Sequence, residues 1–219
     1  MKIFTIYVLV IILYSCDSAK DLLYFQDNFS NQSNLHSKYR LIIKENDILE
    51  INILTSNEEA TKLFSPQYDT KTSSISYSSG VAAKGGYVVD HNGMIELPYI
   101  GKISVAKKKI EEIETIIQDK LSEYLLQPLV KIQLINFKVT VLGDVKNPGT
   151  INVPNEKISL IQAIGIAGDL NLTASRKVRL IREEENSYVD TVIDLTSKNL
   201  FSSEYYFLSQ NDIIYVAPG

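Results

Sequence analysis

Two hydrophobic rhythms alternate along the chain from residue 39 onward. Leu49, Ile51 and Ile53 are separated by Glu50 and Asn52, the period of two that marks a strand with one buried face. Asn46-Asp47, just before it, reads as a turn. Tyr87, Val88 and Val89 form a second β-prone run, and His91-Asn92-Gly93 reads as a tight hairpin turn, because Asn and Gly accept left-handed backbone. Met94, Ile95 and Leu97 resume the apolar run. Pro98, with no N–H to donate, interrupts it, and residues 101–105 read as a further strand. The rhythm then changes. Ile110, Ile113, Ile116, Ile117, Leu121, Tyr124 and Leu125 step by three and four, which predicts an amphipathic helix over residues 108–125. Lys107, Lys108 and Lys109 fit that helix badly, since its N-terminal dipole disfavours cations. Pro128 closes it, and Val130, Ile132 and Leu134 alternate as a strand.

The second half repeats the mixture. Val139, Val141 and Val145 are strand-like, Asn147-Pro148-Gly149 is a turn, and Ile151 and Val153 resume a strand. Ser159 is an N-cap for a helix over residues 160–167, with Gly168 as its stop. Val178 with Leu180, Tyr188 with Val189 and Val192, and residues 212–216 read as further strands, with Glu183, Glu184 and Glu185 as a solvated loop. Residues 58–64 have room for one or two helical turns. Residues 65–86 are rich in Ser, Thr, Tyr and Gly and read as a long solvated insertion, or as a contact for sugars or a neighbouring subunit. The fold class these elements predict is α+β, as two small β-rich domains over residues 39–136 and 137–219.

The N-terminus is of another kind. Residues 3–13 are apolar, but about 11 helical residues rise only about 17 Å, short of the roughly 30 Å of hydrocarbon a membrane-spanning helix must cross. Residues 1–15 read as a signal peptide. Leu13-Tyr14-Ser15-Cys16 resembles the lipobox of bacterial lipoproteins, which implies lipidation at Cys16 and a lipid-anchored tether over residues 16–38. Cys16 is the only cysteine in the chain, so no disulfide framework competes with that reading. Within the tether, Lys20-Asp21-Leu22-Leu23-Tyr24-Phe25-Gln26 resembles the segment just past the lipidated cysteine of bacterial export lipoproteins, and the alternative reading is that Leu22, Leu23, Tyr24 and Phe25 pack on the first domain.

Composition narrows the function classes. The 219 residues carry a formal charge of −4 and no dense basic patch beyond Lys107–Lys109, which argues against nucleic acid as a partner. Only His36 and His91 are present, and neither has company for a metal site or a triad. No H-E-x-x-H, C-x-x-C, G-x-S-x-G or phosphate-cradling fingerprint occurs. Asp90 and Glu96 flank a turn and read as surface charges. The expectation is a non-enzymatic protein without cofactor or metal.

Two stretches resemble known families. Tyr39-x-Leu41, Asp47-x-Leu49-x-Ile51-x-Ile53, Tyr87-Val88-Val89-Asp90, Gly93, Ile95-x-Leu97-Pro98-Tyr99-Ile100-Gly101, and the acidic helix running into Pro128-x-Val130 look like the polysaccharide biosynthesis/export domain of Wza-type outer-membrane lipoproteins. Asn46 stands where that family usually has Gly. Leu142-Gly143-Asp144-Val145-x-x-Pro148-Gly149, then Ser159-Leu160, Ala167-Gly168-Asp169 and Asn211-Asp212-Ile213-Ile214-Tyr215-Val216 resemble the soluble-ligand-binding β-grasp (SLBB) domain. The resemblance implies a lipid-anchored outer-membrane protein on the periplasmic face. It implies a homo-oligomeric ring that passes an exported polysaccharide, coupled to an inner-membrane copolymerase or chain-length regulator. Either residues 65–86 or the region 87–105 would then contribute to the subunit contact. The family commonly adds a C-terminal membrane-crossing helix; the sequence here stops at Gly219, so the pore is expected from a missing segment or another protein. The rival reading is an envelope lipoprotein that binds a saccharide without transporting it.

Overall fold

The computed structural model describes residues 23–26, 41–56, 86–154, 156–184 and 187–219. Cys16, the segment 57–85 and most of the tether lie outside the described residues.

The N-terminal unit is built on strand β1 (Ile48–Leu54), whose alternating Leu49, Ile51 and Ile53 are buried as expected. Beside it lie the short β2 (Tyr87–Val88) and β5 (Leu129–Leu134), in the order β2-β1-β5, all antiparallel. A separate hairpin, β3 (Met94–Leu97) with β4 (Gly101–Ser104), turns through Pro98-Tyr99-Ile100. Pro98 therefore starts the turn of a hairpin. The tight turn expected at His91–Gly93 is present, closed by Gly93 N–H to Asp90 O at 2.8 Å and Asp90 N–H to Met94 O at 2.9 Å, and it makes a corner, since β2 and β3 form no ladder across it. Asp90 Oδ1 accepts from the N–H of Asn92 at 2.9 Å and of Met94 at 2.8 Å, and Gly93 takes φ 71° with Ala106 too close for a side chain. The strand before that corner pairs with β1 because Val89 N–H donates to Asp47 O and Asn46 N–H to Val89 O.

Helix α1 (Ile110–Leu121) packs on β5 through buried Ile110, Ile113, Ile117 and Leu121. It is shorter than its hydrophobic period. Ser122 Oγ donates to Gln118 O, Leu125 N–H to Leu121 O, and Gln127 sits at φ 47° before Pro128, which disfavours helix in its predecessor. Leu125 is buried, Ile116 is half-buried, and Tyr124 faces solvent at 60% exposure. The lysine run precedes the helix. Lys107 is left-handed at φ 64°, and Lys109 is the N-cap, its ammonium 3.3 Å from Glu112. Glu111 and Glu112 fill the first turn, where the dipole favours anions.

The C-terminal unit is a five-stranded mixed sheet in the order β7 (Gly149–Asn152), β6 (Lys138–Gly143), β10 (Ile213–Val216), β8 (Lys177–Glu184), β9 (Ser187–Asp194). β10 runs parallel to β6 and antiparallel to β8. Helix α2 (Leu160–Ile166) packs on β6, and a 3-10 helix covers Lys198–Ser202. Ser159 caps α2 as expected, and Gln162 completes a reciprocal capping box. Gly168, at φ 82°, stops it. Val145 lies beyond β6. Glu183 and Glu184 belong to β8, because the β8–β9 register runs to Glu184 opposite Ser187. One apolar core runs through both units, from Ile43 to Val216.

Candidate functional site

Asn-Asp-Ile occurs at residues 46–48 and again at 211–213, and both copies fold the same way. Asn46 and Asn211 are left-handed at φ 64° and 65°, which Asn tolerates better than other side chains. Each aspartate accepts from the N–H three residues earlier, Asp47 Oδ2 from Lys44 at 2.8 Å and Asp212 Oδ2 from Ser209 at 2.7 Å. Each turn launches a central strand, β1 or β10. The two differ in charge compensation. Asp212 is fully buried and held in a fork by Arg182, with Nε to Oδ1 at 3.0 Å and Nη2 to Oδ2 at 2.7 Å. Asp47, 2% exposed, has no ion-pair partner among the described residues; the Lys44 ammonium donates to Glu183 O instead. Burial pushes its carboxyl up to about 6, only partly offset by the Lys44 N–H and charge.

Both turns clasp the chain that joins the units. Asn136 Nδ2 donates to Asn46 O at 3.0 Å, and Asn136 Oδ1 accepts from Ile48 N–H at 2.9 Å. From the other side, Gln210 Oε1 accepts from Lys138 N–H and Gln210 Nε2 donates to Asn136 O, both at 2.8 Å. Asn211 N–H also donates to Lys138 O.

The Gly-Asp motif of the second unit is likewise structural. Gly143 lies at φ 92°, and a Cβ there would sit 1.9 Å from Val216 O, so only glycine fits. Asp144 accepts from Asn171 Nδ2 at 2.6 Å and Thr173 Oγ1 at 2.7 Å, which hold its carboxyl below the usual range. Lys146 N–H to Asp169 O and Asn147 N–H to Ala167 O stitch this loop to the end of α2.

The tether supplies an unexpected element. Leu23–Gln26 docks on the C-terminal unit, whereas one reading of the sequence placed it on the first domain. Phe25 N–H donates to Leu195 O and Gln26 N–H to Thr196 O. Tyr24 Oη donates to Asp169 Oδ1 at 2.6 Å, and the Arg176 guanidinium lies 5.4 Å from the Tyr24 ring centre. Arg176 is itself buried and donates to Asn171 O and Ala174 O. Burial, then the bond to Asp169, raise the Tyr24 phenol above its ordinary value. Phe25 continues into a row of half-buried rings, Phe201, Tyr206 and Phe207, at centre distances of 5.1, 5.5 and 4.8 Å. An open cleft of about 660 Å³ beside the strap is lined by Leu172, Thr173, Arg176, Lys177, Asp194 and Thr196. On the N-terminal unit, Leu54 and its cross-strand partner Leu129 are exposed together with Tyr124 and Leu126.

No group of three His, Cys, Asp or Glu gathers among the described residues. His91 is exposed, 3.7 Å from Glu45, and Asp90 is spent on its corner. No described helix is long and apolar enough to cross a membrane. Among the described residues, the polar groups above build joints and clamps that brace two strand-rich units.

Comparison with known proteins finds two matching domains. The model of the family described as polysaccharide biosynthesis/export protein matches residues 35–135, and the SLBB domain model matches residues 138–190. The chain thus carries a polysaccharide biosynthesis/export domain followed by an SLBB domain. It is 31% identical over 126 residues to the EPS I polysaccharide export outer membrane protein EpsA of Ralstonia nicotianae, covering 52% of this chain and 33% of that protein. To the protein of the same name from Ralstonia solanacearum it is 30% identical over 98 residues, 43% of this chain and 26% of the relative. The matches thus span a third or less of the curated relatives.

Proposed function

We propose that the chain is a non-enzymatic subunit of a polysaccharide export machine, lipidated at Cys16, anchored in the outer membrane and facing the periplasm. Residues 39–136 form its export domain and 137–219 its SLBB domain. Copies assemble into a ring that passes the polymer from an inner-membrane copolymerase. The observation that carries this reading is the pair of family matches in sequence, 35–135 then 138–190, on units braced at one joint. The names of both relatives support the exported-polysaccharide cargo. The exposed Leu54, Tyr124, Leu126 and Leu129 supply an apolar patch for a neighbouring copy. A ring needs such a heterologous contact, one patch meeting a different one.

The test is a gene deletion complemented by wild type or by Leu126→Glu with Leu129→Glu. Deletion should abolish extracellular polymer. The double variant should fold by circular dichroism, sediment as a monomer after detergent extraction, and fail to complement. Unchanged export in the deletion strain overturns the reading. A wild-type monomer that binds a short oligosaccharide tightly supports the non-transporting lipoprotein instead, with the Phe201-Tyr206-Phe207 row as the surface for sugar rings.

A further inference from the structure

The docked strap fixes which part of the protein can lie against the membrane. Residues 17–22 are all that separates Cys16 from Leu23. Seven residue steps reach at most about 25 Å even when fully extended. Leu23–Gln26 is in turn tied to the C-terminal unit by two backbone hydrogen bonds, the Tyr24–Asp169 bond, the Arg176–Tyr24 contact and the Phe25–Phe201 contact. A lipid on Cys16 is therefore leashed to that unit.

The surface around the strap suits a lipid neighbour. Leu23 is next to Tyr24, and Ile166 and Leu172 lie three residues before and after Asp169. Their exposures are 58%, 59% and 81%, which for large aliphatic side chains is an apolar surface with no protein cover among the described residues. The carboxylates nearby are occupied internally. Asp169 accepts from Tyr24 and from Leu170 N–H, and Asp144 from Asn171 and Thr173. Lys146 and Lys177 stand on the same connections and suit anionic headgroups.

We propose that the strap seats the α2–β8 connection on the lipid surface, with Leu172 and Ile166 entering the headgroup boundary. The N-terminal unit is thereby held on the far side of the joint from that contact. The proposal rests on the Cys16 anchor proposed above. Two exposed aliphatic side chains contribute too little to hold the protein by themselves, so the lipid supplies affinity and the strap supplies orientation.

The chain has no tryptophan, so a single introduced one reports its own depth. The full acylated protein is reconstituted in phosphatidylethanolamine–phosphatidylglycerol vesicles containing brominated acyl chains, with Trp at Leu172 (Leu172→Trp) or, on the competing patch, at Tyr124 (Tyr124→Trp). Both sites are exposed, so both variants should fold; circular dichroism checks this. We expect Leu172→Trp to be quenched several-fold more than Tyr124→Trp. Adding Tyr24→Phe with Phe25→Ala, which loosens the strap without touching the anchor, should erase the difference. Equal quenching at both sites in the parent strap, or stronger quenching at Tyr124→Trp, overturns the orientation while leaving the anchor intact. Failure of the acylated preparation to float with the vesicles overturns the anchor and the orientation together.

Discussion

The turns at Asp47 and Asp212 do the same job with opposite electrostatics. Both bury an aspartate behind a left-handed asparagine, close on a backbone N–H and launch a central strand. In the C-terminal unit the charge is matched by a forked guanidinium. In the N-terminal unit it is not, and the carboxyl moves toward its neutral form instead. A buried carboxylate has these two outlets, a partner or a proton. The choice decides what a mutation or a change of pH does to each unit.

The largest effect should come from breaking the matched pair. Asp212→Ala leaves the Arg182 cation buried without its anion, and a loss of about 3–5 kcal/mol is expected in urea melts. A loss no larger than that of an exposed ion pair would mean that Arg182 escapes to water and that the comparison is mistaken. Next, Ile117→Ala removes buried volume from the N-terminal core and should cost about 2–5 kcal/mol. Because the core is continuous and the joint clasped from both sides, it should move one transition for the whole protein. Two separated transitions would show that the units melt independently.

The unmatched aspartate predicts the opposite sign. The folded pKa of Asp47, about 6, lies above its ordinary value of 3.8, so the folded state binds the proton more tightly. Its contribution is fully present below pH about 4 and is lost as pH rises through about 6, a difference of about 3 kcal/mol at most. Asp47→Asn keeps an oxygen for the Lys44 N–H and should stabilise the protein at pH 7.5 by about 1–3 kcal/mol. It should also flatten the stability profile between pH 4 and 7. Asp212→Asn should not stabilise the protein at pH 7.5, because it leaves the buried Arg182 cation without its anion, and a stabilising Asp212→Asn would dissolve the distinction. Smallest of all, Gln210→Ala strips Lys138 N–H and Asn136 O of their partner. It should cost about 1–2 kcal/mol, read from the same melts.

How much of this was legible follows from range. Alternation placed β1 and β5 correctly, and the step of three and four found α1, because those signals are local. The Ser159 cap was visible for the same reason. Tyr124 was misplaced because the helix ends at Leu121, well before the Pro128 read as its stop, so the step of three and four no longer sets which way Tyr124 faces. Asn46-Asp47 was readable as a turn, but Arg182 lies 30 residues before Asp212, and nothing local links them. Likewise the Asn- and Ser-rich tether carries no period, and Tyr24 meets Asp169 across 145 positions. The repeated Asn-Asp-Ile was the one available clue to the joint. It became informative only once both copies were seen to grip the same peptide.

That grip has a mechanical consequence. A linker held on both sides by side-chain amides has no free torsion to spend, so a load on one unit is delivered to the other as rotation of a stiff lever. In the ring proposed above, that stiffness would confine widening of the lumen mainly to sliding between neighbours, as in the blades of an iris.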